Sequence, residues 1–210
     1  MKVTRTEEVT KSRIRVYLEE EPAFVLYKGE ARRFHIREGM ELTQENYDII
    51  MEELLPKRAK LRAMNLLKSR EYTVKQLRDK LESGEYPQDV IEEALAYVAS
   101  FHYTDDLRYA VSFITSHENA RSRRRIEQDL LARGIDRDTV EKAWTEWEEE
   151  GGCQDEQAMI HKLLEKKHFV PERANLKEKQ KMYGFLMRKG FSGEQVRKAI
   201  LCTAGEYETE

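Results

Sequence analysis

Leu77-Arg78-Asp79-Lys80-Leu81-Glu82-Ser83-Gly84-Glu85-Tyr86, continued through Ile91, Ala94 and Leu95, decides how this chain folds, because the same order of apolar residues returns twice. Ile126, Leu130, Ile135, Val140, Ala143 and Trp144 repeat it, and Met182, Leu186, Phe191, Val196, Ala199 and Ile200 repeat it again. The internal steps of 4, 5, 5, 3 and 1 residues are identical in all three copies, which three unrelated amphipathic helices would not produce. A block that buries only one face must stack on a neighbour. Tandem copies therefore predict an elongated, curved array with a continuous side surface suited to lying along a polymer.

Working outward from the repeat, each block reads as three helices, so the fold class is mainly α with three tandem three-helix repeats. In the first block, Ala59, Ala63, Leu66 and Leu67 mark a helix near 57–69. Thr73 and Gln76 have capping-box spacing, Gly84 breaks the second helix, Pro87 suits a first turn, and Val90, Ile91, Ala94, Leu95 and Val98 form the buried face of the third. The second block opens at Thr104-Asp105-Asp106, where a cap and two acids suit a helix N-terminus. Ser192 and Gln195 offer another capping box in the third, whose helices lie near 155–168, 172–189 and 193–202. The blocks span 57–103, 104–152 and 153–202, with an acidic tail at 203–210.

Residues 1–56 read differently. Arg13 to Leu18, Ala23 to Tyr27 and Arg32 to Ile36 alternate as strands do, and Lys28-Gly29-Glu30 reads as a hairpin turn between the last two. The expectation is a small antiparallel β-sheet packed on a helix that begins after Thr43 and runs to Pro56.

Composition narrows the function. Charged residues make up 37% of the chain, well above the roughly 25% of an average soluble domain. Yet 37 basic and 40 acidic residues leave a net charge of −3, so only local clustering could mark a polyanion binder. Cys153 and Cys202 are too few for a disulfide framework or a zinc site. No apolar run approaches a membrane span or a signal peptide. A soluble, monomeric, cytoplasmic protein is expected, without cofactor, metal or membrane partner. Enzymatic chemistry has little support, since the histidines lack metal-ligand spacing and there is no glycine-rich phosphate loop or nucleophile elbow. Capping alone explains Asp105 and Asp106 better than a metal site does.

The clearest cluster is Arg121, Arg123, Arg124 and Arg125, followed by Arg133 and Arg137. Arg123 and Arg124 lie off the face defined by Ile126 and Leu130, so part of the cluster must meet solvent. Guanidinium groups there suit phosphate or carboxylate, whereas the bland reading is a solvated face with local ion pairs. Basic residues recur once per block: Lys57, Arg58, Lys60 and Arg62 in the first, and Lys166-Lys167-His168 with Lys177, Lys179 and Lys181 in the third. Aligned on one side, they would form a stripe along a polyanion. Trp144 sits at a repeated core position and Trp147 extends the same stripe, so packing explains both.

The ordered set Phe101-His102-Tyr103-Thr104-Asp105-Asp106-Leu107-Arg108-Tyr109-Ala110, Leu130-Leu131-Ala132-Arg133-Gly134-Ile135 and Leu186-Met187-Arg188-Lys189-Gly190-Phe191, with Arg70-Glu71-Tyr72-Thr73 ahead of Leu77, resembles the bacterial RecX regulatory family over about residues 57–202. The resemblance implies a non-enzymatic modulator of the RecA recombinase. Such a protein binds the RecA filament on single-stranded DNA, lies in its groove, and suppresses ATP hydrolysis and strand exchange. It carries the family's junction motif onto Asp105 and Asp106 and its basic segment onto Arg121, Arg123, Arg124 and Arg125. Ser122 stands where that segment leads one to expect Gly. A DNA-binding helical module acting on single or double strands without RecA is the alternative, and a metal-dependent nuclease built on Asp105 and Asp106 is a remote third.

Overall fold

The computed structural model describes residues 1–201; the expected helix end at Cys202 and the acidic tail lie outside the described residues. The chain divides into two compact units, Met1–Asp105 and the segment beginning at Asp106.

The first unit opens with three antiparallel strands in the order β1 (Val3–Thr10), β2 (Arg13–Leu18) and β3 (Glu21–Tyr27). Val3, Val16, Leu18, Phe24 and Leu26 are buried from this sheet. On β1 and β2, Arg5, Glu7, Arg15 and Tyr17 form a polar cluster, in which the Tyr17 hydroxyl donates to Glu7 at 2.7 Å. That hydrogen bond, with Arg15 and Arg5 nearby, holds the Glu7 carboxyl below the usual carboxylate range.

Two expectations fail here. Arg32 to Ile36 is not a strand, and Lys28-Gly29-Glu30 is not a hairpin turn: Lys28–Arg33 forms a short helix, α1, whose Glu30 accepts the Tyr27 backbone N–H at 2.7 Å. Phe34 and Ile36 are buried all the same, so the alternation recorded burial in a turn rather than pleating. The third strand is β1. The second failure concerns Pro56, which does not end the helix that starts at α2 (Gln44–Asp48). That helix runs through a π-helical segment, Ile49–Leu54, into α3 (Leu55–Leu67). The Leu55 N–H reaches back to Ile50 O, a widened turn. In a regular helix a proline ring collides with the carbonyl four residues earlier, and the wider turn relieves that collision.

The helix α3 joins α4 (Val74–Glu82) and α5 (Gln88–Ser100) in the first three-helix block. The expected capping box is present, with the Gln76 N–H donating to Thr73 Oγ1 at 3.1 Å and the Thr73 N–H donating to Gln76 Oε1 at 3.4 Å. One hydrophobic core runs from the sheet through this block. Arg58 helps to join them, donating to Glu30 at 2.7 Å and to the Val25 carbonyl at 2.5 Å. Arg15 does the same from β2, reaching Glu85 at 2.6 Å.

The second unit holds α6 (Asp106–His117), α7 (Arg123–Ala132) and α8 (Arg137–Glu149), then α9 (Glu156–Lys166), α10 (Leu176–Arg188) and α11 (Gly193–Leu201). Each trio has its own core. Every residue of the threefold repeat is buried apart from Met182 and Tyr86, which are half-buried. A fully buried Leu or Ile contributes about 1.5–3 kcal/mol relative to exposure, so the pattern marks where each block obtains its stability. The repeated alanines lie on the third helix of each block, which packs against the first. Small side chains there let the two backbones approach. The Trp147 indole N–H donates to Glu118 at 3.0 Å, so Trp147 belongs to the core as its spacing suggested.

Candidate nucleic-acid interface

The loop between α6 and α7 ends at Ser122, which is fully buried and caps α7 by accepting the Arg125 N–H at 3.3 Å. Its hydroxyl in turn donates to the Lys189 carbonyl at 3.0 Å. The next residue, Gly190, takes φ +94 and approaches so closely that a Cβ there would lie 2.4 Å from Ser122 Oγ. The start of α7 and the end of α10 are thereby fastened side by side, and their basic side chains share one groove.

Asp129 organises one wall. It accepts Arg121 at 2.7 Å and Arg125 at 3.2 Å, and its backbone carbonyl takes Arg133 at 2.7 Å. Phe113 supports the same residues from beneath, with the Arg133 and Arg121 guanidinium carbons 4.5 and 5.7 Å from its ring centroid. Arg188 and Lys189 form the opposite wall of a cavity of about 690 Å³. Five cationic side chains thus line it against a single carboxylate. A concave surface of one sign focuses potential and raises the local concentration of anions. Guanidinium pairs held in place by Asp129 lose little rotamer freedom when a phosphate arrives.

A second cavity, of about 620 Å³, adjoins the first through Phe185 and Arg188, which line both. Its other walls come from α10 and from the stretch after α9, including Lys167, Phe169, Arg173, Lys181 and Met182. The Lys167 and Lys189 ammonium groups lie 5.5 and 5.9 Å from the Phe185 ring centroid.

The structure therefore sorts the basic residues singled out in the sequence. Arg121, Arg125 and Arg133 come together in the groove, and Lys181 lines the adjoining cavity. Arg123 does not join them: it pairs with Glu127 at 3.2 Å and Glu148 at 2.9 Å, its guanidinium carbon is 4.5 Å from the Trp144 ring centroid, and it lines a different pocket. Arg124 is exposed and lines neither basic cavity, as is true of Lys177; Lys179 is half-buried and also lines neither. In the first unit Arg58 is committed to holding the sheet on the helices. Lys60 pairs with Glu93 at 2.6 Å, while Lys57 and Arg62 are exposed. Asp105 and Asp106 fall where the two units divide, and Asp106 opens α6. Among the described residues no three His, Cys, Asp or Glu side chains gather as a metal site requires, and no helix is long and apolar enough to cross a membrane.

Arg188 and Lys189 stand in the stretch 186–191 noted in the sequence but are not singled out there as binding residues, and Arg173 is not noted at all. A signal existed for one of them: Lys189 stands seven residues after Met182, as Arg133 stands seven after Ile126.

Comparison with known proteins agrees with this architecture. Models of the first, second and third three-helix domains of RecX match residues 59–97, 105–143 and 154–200. The regulatory protein RecX of Caldanaerobacter subterraneus subsp. tengcongensis is 31% identical over 193 residues, covering 91% of this chain and 94% of that protein. The regulatory protein RecX of Clostridioides difficile is 26% identical over 204 residues, covering 93% and 92%. A crystal structure of a regulatory protein RecX superposes with a TM-score of 0.61 at 23% identity, covering 96% of this chain and 99% of that one. The crystal structure of RecX from Lactobacillus salivarius gives 0.54, also at 23% identity, over 70% of this chain and 95% of its own. The two structures speak to fold; three domain models in chain order and a relative matched along nearly its whole length go further, and the chain belongs to the RecX regulatory-protein family.

Proposed function

We propose that the chain is a non-enzymatic regulator of the RecA recombinase that binds the RecA–single-stranded DNA filament and suppresses ATP hydrolysis and strand exchange, acting in recombination and DNA repair in the cytoplasm. The observation that carries this reading is the groove between α7 and α10: five cations against one carboxylate, in a chain whose net charge is −3. Concentrating positive charge in one place on an acidic protein favours a polyanionic partner at that place and repels one elsewhere. Tandem blocks touching several protomers would add weak interactions into avidity through effective concentration. A bound chain of this kind opposes either subunit addition or the motion coupled to ATP turnover.

The test is RecA ATPase on single-stranded DNA with the wild-type chain and with the Arg121→Ala, Arg125→Ala, Arg188→Ala variant. The wild type should slow turnover and the variant should not. Unchanged turnover at saturating wild-type protein refutes the reading. A second reading, a DNA-binding module acting without RecA, is favoured by the groove being complete within one compact unit. It requires tight binding of DNA alone, with a salt dependence set by several phosphates.

A further inference from the structure

We propose that the cavity adjoining the basic groove is a nucleobase pocket, so that the second unit takes single-stranded nucleic acid with a base turned into α10 while the backbone follows the groove. The proposal rests on reading that groove as a phosphate track. Its own support is the mixed chemistry of the second cavity. Phe169, Met182 and Phe185 give it an apolar lining, while Lys167, Arg173, Lys181 and Arg188 bring positive charge to it against the carboxylate of Glu178. A nucleotide has just this pairing of a flat apolar face with an anion, and aromatic side chains flanked by cations are how unpaired bases are held.

Phe185 is the link. It lines both cavities, and two ammonium groups lie within 6 Å of its ring centroid, at 5.5 and 5.9 Å. A base stacked there would have its own phosphate within reach of Lys189 and Arg188, the residues shared with or bordering the groove. The volume, about 620 Å³, falls within the ordinary range of small-molecule sites, roughly 300–1,000 Å³. A base locked in a duplex has both faces covered by its neighbours and cannot enter. The pocket therefore discriminates strandedness rather than sequence. An acidic peptide would satisfy the cations but leave the apolar lining without a flat partner, which is why nucleic acid is preferred.

The experiment is fluorescence anisotropy with three labelled probes: a short oligothymidylate, the same backbone carrying abasic sites, and a duplex of equal length. Each is titrated with the wild type and with Phe185→Leu, which keeps apolar bulk in the α10 core but removes the stacking face; circular dichroism verifies the fold. The wild type should bind oligothymidylate about fivefold or more tighter than the abasic strand, the factor expected for loss of one stacked base. Phe185→Leu should lose that preference, its affinities for the intact and abasic strands coming within about twofold of each other, while the salt dependence of its binding, set by the retained cations, matches the wild type's. Equal affinity of the wild type for intact and abasic strands overturns the base pocket and leaves the phosphate track standing. Failure of all three probes, with binding of a polyglutamate peptide instead, overturns both.

Discussion

Replacing Gly190 by Ala tests whether the groove is held together as described. The residue sits at φ +94, and an L side chain in the left-handed region costs about 1–2 kcal/mol. The new Cβ would also lie 2.4 Å from Ser122 Oγ, 3.1 Å from Arg125 Cβ and 3.3 Å from the Arg125 backbone nitrogen. Ser122 cannot simply turn aside, because it is buried and its hydroxyl is bonded both to the Arg125 N–H and to the Lys189 carbonyl. Overpacking of this kind costs about 1–3 kcal/mol, bringing the total to about 2–5 kcal/mol. At roughly 2–4 °C per kcal/mol for a chain of this size, the melting temperature should fall by roughly 4–20 °C. Gly151 is the matched control, since it has φ +92 but nothing within 4 Å of where a methyl group would stand; its Ala variant bears only the backbone cost of about 1–2 kcal/mol. Urea unfolding followed by circular dichroism measures both. Pairing Gly190→Ala with Ser122→Gly should recover part of the difference, because the nearest obstructing atom is gone. If Gly190→Ala and Gly151→Ala cost the same within about 0.5 kcal/mol, the usual spread of innocuous substitutions, the close fastening of α7 to α10 is not a constraint and the groove is not pre-formed.

Arg121→Ala with Arg188→Ala should flatten the logarithmic salt dependence of single-strand binding by about 1.4, near 0.7 for each phosphate no longer neutralised, whereas Arg123→Ala should leave it unaltered; anisotropy over a salt series distinguishes them. Arg58→Met should destabilise the first unit by about 2–4 kcal/mol, since it strands Glu30 and the Val25 carbonyl, and should not change DNA affinity; thermal unfolding and the same binding assay report each half. The Asp136 carboxyl is held below the usual carboxylate range by the Thr139 N–H and hydroxyl. A depressed value means its stabilising effect is present above the ordinary carboxylate range and is lost as the pH falls through its own folded-state value. Asp136→Asn should therefore make the acid limb of the stability–pH curve shallower, while an unchanged acid limb would show that the cap is energetically idle.

The helices were legible because burial in each block falls on the same repeated places: Leu81, Leu130 and Leu186 are wholly buried in all three. The N-terminal strand was not, because apart from Val3 no residue of β1 is buried and Arg5, Thr6, Glu7 and Glu8 present no apolar alternation. Phe34 and Ile36 misled in the opposite sense, being buried without being pleated. Pro56 misled because a proline is read as a stop, and nothing local in Ile49–Leu54 announces a widened turn. For the candidate site, the arginine cluster of the sequence lies at the start of α7, but spacing does not say which of its members come together. Arg121 and Arg125 are four apart and share Asp129, whereas Arg123 lies between them on the other side, against Trp144. The partner wall came from a segment 67 residues further along, reached through the Ser122–Lys189 hydrogen bond. Spacing gives Lys189 the repeat position of Arg133, but its contact with Ser122 is tertiary and is not written in that spacing.

The unbroken run from α2 through the π-helical segment into α3 bears on how this protein could be shortened. The β-strands and the first helical trio share one hydrophobic interior, and Leu55, Ala59 and Ala63 are buried on the very helix that carries both. Cutting at the proline would strip Ala59 and Ala63 of neighbours on one flank and leave Arg58 without Glu30. The opening residues are thus a lid on the first block rather than an appendage, and a deletion series should lose that block cooperatively instead of trimming it residue by residue.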